Sequence, residues 1–371
     1  MTDELWSVLV EQARQTDAQG VWPEASIQAL AKSGLLGLTL PSEAGGDQAG
    51  MRRFSEVTEQ IATRCASTAM IFLMHVCGAQ VIAASSSPKR NELLRNIVTG
   101  HAVTTLAFSE KGSRSHFWAP VSRANRNGHG VVLNCDKSFV TSAGHADYYV
   151  VSSLALDSKE STESTLYLVE RNAAGVRVGP NWNGLGLRGN ASGPITIRDC
   201  HVPADATLTT EGGGFKAMME IVLPWFQIGS ASVSIGIAEA SFSSAVAHTS
   251  KVRFEHLNET LAAGVPGIRS RLAQMRIAID SARGYLDQTL RSIEESKPNA
   301  MLFVLGVKAA TAEMALQVTD DAMRICGGAA FGRELPIERN FRDARAASVM
   351  APTTEVLYDF MGKALAGLSL F

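Results

Sequence analysis

The sequence is poor in cysteine, and the five present (Cys65, Cys77, Cys135, Cys200, Cys326) lie far apart with no C-x-x-C pair. That spacing offers neither a zinc ribbon nor a redox motif, and an odd number argues against a disulfide framework. Buried free thiols in a reducing cytoplasm are the expectation. The eight histidines are scattered, without H-x-x-x-H or H-E-x-x-H, so no metal site is expected. A G-x-S-x-G elbow is absent. Charge of either sign is not in excess: the formal net charge is −2 over 371 residues, which gives nucleic acid or another polyanion no footing. The stretch MTDELWSVLVEQARQ is acidic and amphipathic, unlike a signal or transit peptide. No run of about 18 uninterrupted apolar residues occurs, so no membrane span is expected.

What the chain does have is apolar material, 46% of its residues, enough for a large core in two or three structural units. Residues 1–100 read as an N-terminal helical domain. PEASIQALAKSGLLGL (23–38) opens on proline and glutamate and closes on glycine, and the apolar run beginning RFSEVTEQIATRCASTAMIF predicts one long buried helix. The texture changes over 101–213. HAVTTLAFSE, HGVVLNCDKSFVTSA, ADYYVVSSLAL, STLYLVERN, GVRVGPNW and GPITIRDCHVP are short, β-branched and aromatic, and separated by turn residues. They predict a central antiparallel β domain or barrel. Helical periodicity returns over 214–371. Pro224 is expected to start a helix, and apolar stripes over 266–295 and 300–325, the second ended by Gly327 and Gly328, predict a C-terminal helical bundle. The fold class is therefore α+β, with the β domain set between two helical parts.

Two motifs have a bland reading that the context favours. GLGLRG (184–189) matches the dinucleotide fingerprint G-x-G-x-x-G, but NASGPITIRD after it reads as a strand where a phosphate loop needs a helix, so a glycine-rich β connection is expected. In PIERNFRDA, Glu338 with Arg342 and Arg339 with Asp343 are each one turn apart, which predicts two pairs along a helix that fixes the small, neutral corner AAS-VMAPTTE after it. His116 and His145 sit in turns and read as surface or hydrogen-bonding histidines.

Six stretches taken in order resemble the acyl-CoA dehydrogenase superfamily: GLLGLTLPSEAGG, LAFSEKGSRS, LNCDKSFVTSAGHADYYVV, GLGLRGNASGPITIRDCHVP, GFKAMME and ICGGAAFGRELPIERNFRDAR. They span nearly the whole chain. The resemblance implies a helical domain, a β domain and a C-terminal four-helix bundle in a homodimer or homotetramer that binds FAD. It implies that Phe108 and Ser109 line the flavin ring, Ser115 lies near the pyrophosphate, and Phe139 and Thr141 pack on the ring and bond near its reactive nitrogen. An apolar wall with hydroxyl or amide donors at its edge is what a flavin requires of a protein. The resemblance further places Arg324 and Gly328 where a partner subunit touches the adenosine half, and Thr353 and Glu355 in the cofactor-contacting G-T-S-E/Q element.

It also marks departures. Many relatives carry the proton-abstracting glutamate where this chain has Ala351, and a methyl group cannot accept a proton. Others carry it on the helix after the sheet, where this chain has Phe226 and Gln227. These three residues are expected at the substrate. G-S-R-S-H stands where G-A-G-S-D is common, and the R-x-x-F-G element is not recognisable in SKVRFEHLNET. Three readings stay open: an oxidoreductase acting on the α,β bond of an acyl thioester with an unrecognised base or water; a flavin-dependent monooxygenase, with His116 or His145 assisting; or a catalytically silent flavoprotein. The first two need a small-molecule substrate and an electron acceptor or flavin reductase as partner.

Overall fold

The computed structural model describes residues 3–114, 116–160 and 162–370. They divide into two units. One comprises the chain up to Phe54, Ser67–Gly184 and Arg188–Phe226; the other comprises Ser55–Ala66, Leu185–Leu187 and the chain from Gln227 onward.

The chain begins with α1 (Asp3–Gln19), α2 (Glu24–Lys32), α3 (Met51–Ala62), α4 (Ala66–Ala84) and α5 (Arg90–Val98). Two of these differ from expectation for local reasons. The helix expected over 23–38 ends at Lys32, because Gly34 turns left-handed (φ 73°) and the chain continues as the 3-10 turn Leu35–Gly37. The run read as a single buried helix is two, α3 and α4. At the break the Thr63 hydroxyl and the Arg64 guanidinium both donate to the Gln60 carbonyl, at 2.7 Å each, so side chains take an acceptor the next turn needs. Helix α4 is apolar around most of its circumference and buried accordingly.

Seven strands form two sheets in the first unit. β1 (Thr104–Ala107), β4 (Tyr148–Leu154) and β5 (Ser164–Glu170) make one. β2 (Asn125–Asn127), β3 (Gly130–Val140), β7 (Gly193–Val202) and β6 (Val176–Val178) make the other. The second sheet is antiparallel throughout. In the first, β1 runs parallel to β4, a departure from a wholly antiparallel expectation that follows from the long connection between them through β2 and β3. β5 is buried on both faces except at its last residue, whereas β7 largely alternates. Helix α4 docks on β1 through Gly78, where a Cβ would lie 2.0 Å from the Thr104 hydroxyl, and through His75. The His75 Nδ1 accepts the Thr104 N–H at 3.1 Å and its Nε2 bonds the Leu36 carbonyl at 2.9 Å.

After the sheets come α6 (Gly214–Ala217), a π-helical turn (Met218–Val222) and α7 (Leu223–Lys251). Pro224 does not start this helix. It sits inside it, just after the π turn, which relieves the missing N–H and the ring's clash with the preceding turn. The short hairpin β8 (Arg253–Phe254) and β9 (Glu259–Thr260) and the turn α8 (Leu261–Gly264) lead to α9 (Pro266–Glu294), α10 (Ala300–Cys326), α11 (Gly328–Phe331), α12 (Ile337–Val349) and α13 (Thr354–Leu365). Helix α10 is the centre of the bundle, packing on α9, α12 and α13. Ion pairs from Arg276 and Arg283 on α9 to Glu239 on α7, and from Arg283 to Glu59 on α3, lace the same bundle. Ala66–Ala84, Gly214–Lys251 and Ala300–Cys326 are long and apolar enough to cross a membrane, but most of each apolar stretch is buried within the protein. All five cysteines are buried, and none is paired in a disulfide.

Candidate active site

In the first unit the site is made by an irregularity in β3. Pairing of β3 with β7 slips between Lys137 and Val140, and Phe139 adopts a left-handed backbone (φ 54°). A bulge of this kind re-aims one side chain, and a bulky residue held at positive φ marks strain kept for a purpose. The result is a phenylalanine that is 70% exposed beside a buried threonine: Phe139 meets the edge of Trp182 at 6.3 Å between ring centroids, and Thr141 is 3% exposed. The Thr141 hydroxyl shares a hydrogen bond with that of Ser192 at 3.1 Å. The next residue but one upstream of Phe139, Lys137, is buried and ties this strand to the stretch after β1. Ser138 N–H donates to the Ser109 carbonyl at 2.8 Å, and the Lys137 ammonium donates to Glu110 Oε1 and to the Ser152 carbonyl, each at 2.6 Å. Phe108, one residue before Ser109, stacks on Phe117 at an interplanar angle of 11°. Phe108, Ser109, Phe139 and Thr141 are thus brought onto neighbouring segments; Ser115 lies outside the described residues. Exposed aromatic surface bordered by hydroxyls fits a flat heterocycle with a polar rim, as a flavin is.

The second unit contains the corner that the sequence singles out. Helix α12 ends at Val349, and α13 begins after Thr353, whose hydroxyl caps it by accepting the Val356 N–H at 3.4 Å. Glu355, exposed in the first turn, has the sign that a helix N-terminus favours. Between them Ala351 is half-buried and Pro352 buried. Lys308 of α10 fastens this corner from behind: its buried ammonium donates to the carbonyls of Ala347 (2.7 Å), Met350 (2.9 Å) and Pro352 (2.7 Å). Burial pushes the Lys308 amine down to about 7, with Glu355 opposing the shift. All its hydrogens are committed to carbonyls, so it holds the corner in place.

Helix α12 forms one of its two expected pairs. Arg342 Nε donates to Glu338 at 2.8 Å, but Asp343 leaves Arg339 and accepts the Leu187 N–H at 2.6 Å, while Arg342 also reaches the Leu185 carbonyl at 3.0 Å. The charged face therefore grips the GLGLRG segment. A Cβ on Gly186 would lie 2.5 Å from the Arg342 carbonyl oxygen, so this glycine serves close packing. Farther along, Arg324 is exposed and paired with Asp320 at 2.6 Å, and Gly328 opens α11 with free space around it. Sixteen residues of helix separate Arg324 from Lys308, about 24 Å at the usual rise, so this pair stands apart from the Ala351 corner.

On α7, Phe226 is buried and Gln227 is fully so, with neither atom of its side-chain amide hydrogen-bonded. Both turn histidines are engaged by tryptophans: His116 stacks on Trp118 at 4.8 Å and His145 on Trp22 at 4.7 Å, and burial lowers the basicity of His145. Among the described residues no three His, Cys, Asp or Glu side chains cluster as metal ligands. Sequence reading missed Glu110, Lys137, Trp182, Ser192 and Lys308. Isolated charges in apolar segments, DKSFV and LGVKAA, were the available signal for the two lysines.

Models of the acyl-CoA dehydrogenase N-terminal, middle and C-terminal domains match residues 5–101, 105–200 and 212–366. Cyclohex-1-ene-1-carbonyl-CoA dehydrogenase of Geobacter metallireducens is 28% identical over 360 residues, 96% of this chain and 93% of its own. The mitochondrial short-chain specific acyl-CoA dehydrogenase of Homo sapiens is 28% identical over 351 residues, 93% of this chain and 83% of its own. The solved structure of butyryl-CoA dehydrogenase from Megasphaera elsdenii is 26% identical, with a TM-score of 0.89 and 99% of each chain covered.

Proposed function

The chain belongs to the acyl-CoA dehydrogenase family and is an FAD-dependent oxidoreductase; from that premise we propose that it removes hydrogen from the α and β carbons of an acyl-CoA thioester. The observation that carries this reading is Phe139, an exposed aromatic on a strained bulge with Thr141 and Ser192 beside it. FAD, when bound, supplies the two-electron acceptor for this oxidation. Phe139 and Trp182 would give it an apolar wall and Thr141 and Ser192 a polar edge, with Phe108 and Ser109 on the neighbouring segment also available to hold it. The family resemblance would assign Ser115 to the pyrophosphate and Thr353 and Glu355 to cofactor contact.

The acid–base half of the reaction is unusual. Ala351 has no basic atom, the Gln227 amide is not a base, and Lys308 directs its hydrogens at three carbonyls. None of these three residues takes the α-proton, so at the positions where relatives carry their glutamate the chain forgoes the roughly 10² to 10⁴ in rate that a positioned base contributes. The relatives from Geobacter metallireducens, Homo sapiens and Megasphaera elsdenii are dehydrogenases, which favours this reading over oxygenation. The enzyme acts in the cytoplasm as a homodimer or homotetramer, with Arg324 and Gly328 at the partner contact, and passes its electrons to a separate acceptor protein. The test is anaerobic mixing of the purified yellow protein with a panel of acyl-CoAs. Loss of the flavin absorbance supports the proposal, and its persistence with every thioester that binds would overturn it.

A further inference from the structure

Helix α7 carries a polar group with nothing to bond. Gln227 is 0% exposed, and among the described residues it is the one buried amide whose nitrogen and oxygen both lack a partner. Ser230, three residues on and therefore on the same face of the helix, is also buried with its hydroxyl unpaired. This is not the habit of the helix. Ser232, Ser241 and Thr249 each return their hydroxyl to the carbonyl four residues back, at 2.9, 3.0 and 2.8 Å. Ser230 has the same option and does not take it.

An unpaired buried amide is costly, because the group has left water without recovering its hydrogen bonds. Such a side chain is retained where something else completes it. The complement of an amide flanked by a hydroxyl is a group that both donates and accepts. It is also uncharged: no cationic side chain donates to either residue, and between Leu223 and Ser241 the helix has a single charged residue, Glu239. A carboxylate brought here would be buried without a counter-ion.

We infer that Gln227 and Ser230 form the recognition end of the acyl site and select an acyl chain bearing a neutral hydrogen-bonding group, a hydroxyl foremost, over a plain hydrocarbon chain. The inference rests on the reading of the protein as an acyl-thioester oxidoreductase, and it narrows the class of substrate. A site with such groups discriminates against the analogue that leaves them unpaired more strongly than an apolar pocket discriminates against an extra methylene.

The experiment titrates the oxidised holoenzyme with butyryl-CoA, 3-hydroxybutyryl-CoA and 4-hydroxybutyryl-CoA, following the flavin spectrum, for the natural protein and for Gln227→Leu and Ser230→Ala. The natural protein is expected to bind one hydroxyacyl-CoA at least about tenfold more tightly than butyryl-CoA. Gln227→Leu is expected to lose or reverse that preference while raising the Tm of the unliganded protein, since it removes the orphaned amide. Ser230→Ala is expected to reduce the preference, and it keeps the test open if the leucine variant folds poorly. Butyryl-CoA binding as tightly as both hydroxyacyl-CoAs in the natural protein would overturn the inference and leave the acyl-thioester reading intact; water would then be what completes Gln227. Failure of all three thioesters to bind a flavin-loaded protein would overturn the inference, while the acyl-thioester reading is decided separately by the wider acyl-CoA panel.

Discussion

The Lys137 ammonium donates to the Glu110 carboxylate at 2.6 Å with both side chains shut off from solvent. The other carboxylate oxygen accepts the N–H groups of Val121 and Ser122 at 2.8 and 2.7 Å. The pair joins the segment of Phe108 and Ser109 to the strand of Phe139 and Thr141. Breaking one side of a buried pair leaves an uncompensated charge, so Lys137→Met is expected to cost about 3–5 kcal/mol. Adding Glu110→Gln should recover part of that loss, since the lone charge goes with it. Urea unfolding of the natural protein and the two variants checks this, and a double variant no more stable than Lys137→Met would contradict it.

A second expectation concerns acid. His75 is neutral in the fold, with burial pushing it down to about 4 against its hydrogen bond to Leu36. Unfolded, it titrates near 6.5. Between those values the unfolded chain binds the proton and the folded one does not, so stability falls as pH drops from 6.5 to 4. The loss from this residue is roughly 3 kcal/mol. Above pH 6.5 its contribution is flat. Denaturation measured across that window should show the slope, and His75→Gln should flatten it.

Phe139 sets stability against cofactor binding. Its left-handed backbone is strained for a residue with a Cβ and relaxed for glycine. Phe139→Gly is expected to leave the apoprotein as stable or about 1 kcal/mol more so, while FAD affinity falls at least tenfold. Equal FAD affinity in the variant would remove Phe139 from the flavin wall.

These contrasts show what the sequence made legible. Periodicity and turn residues gave the helix–sheet–helix order, and the apolar stripes of 266–295 and 300–325 became α9 and α10 almost to the residue. The break between α3 and α4 was not legible, because it depends on the side chains of Thr63 and Arg64 reaching one carbonyl. Asp343 looked like a partner for Arg339, and only the fold brings Leu187 to it. Motif likeness selected Phe139, but its exposure comes from a register slip that no local pattern announces. Lys308 was hidden for a similar reason: its acceptors lie about 40 residues away in the chain.

The Ala351 corner gives a gain-of-function test. A carboxylate placed at this half-buried position has its pKa raised above the free value of about 4.3, toward a useful base. Pro352 restricts the backbone beside it, so the variant to examine is Ala351→Glu with Pro352→Gly. Flavin reduction by a bound acyl-CoA is expected to rise by about 10² or more over the natural chain. No increase would mean that the α-carbon is not held beside residue 351.

The most direct measurement is the mass of the product. Purified holoenzyme is incubated with an acyl-CoA that bleaches its flavin and with an artificial electron acceptor, and the acyl-CoA is then analysed by mass spectrometry. The expected product has lost two hydrogens and gained no oxygen, with or without air. A product carrying an added oxygen atom, formed only in air, would contradict dehydrogenation and assign the protein to oxygen chemistry.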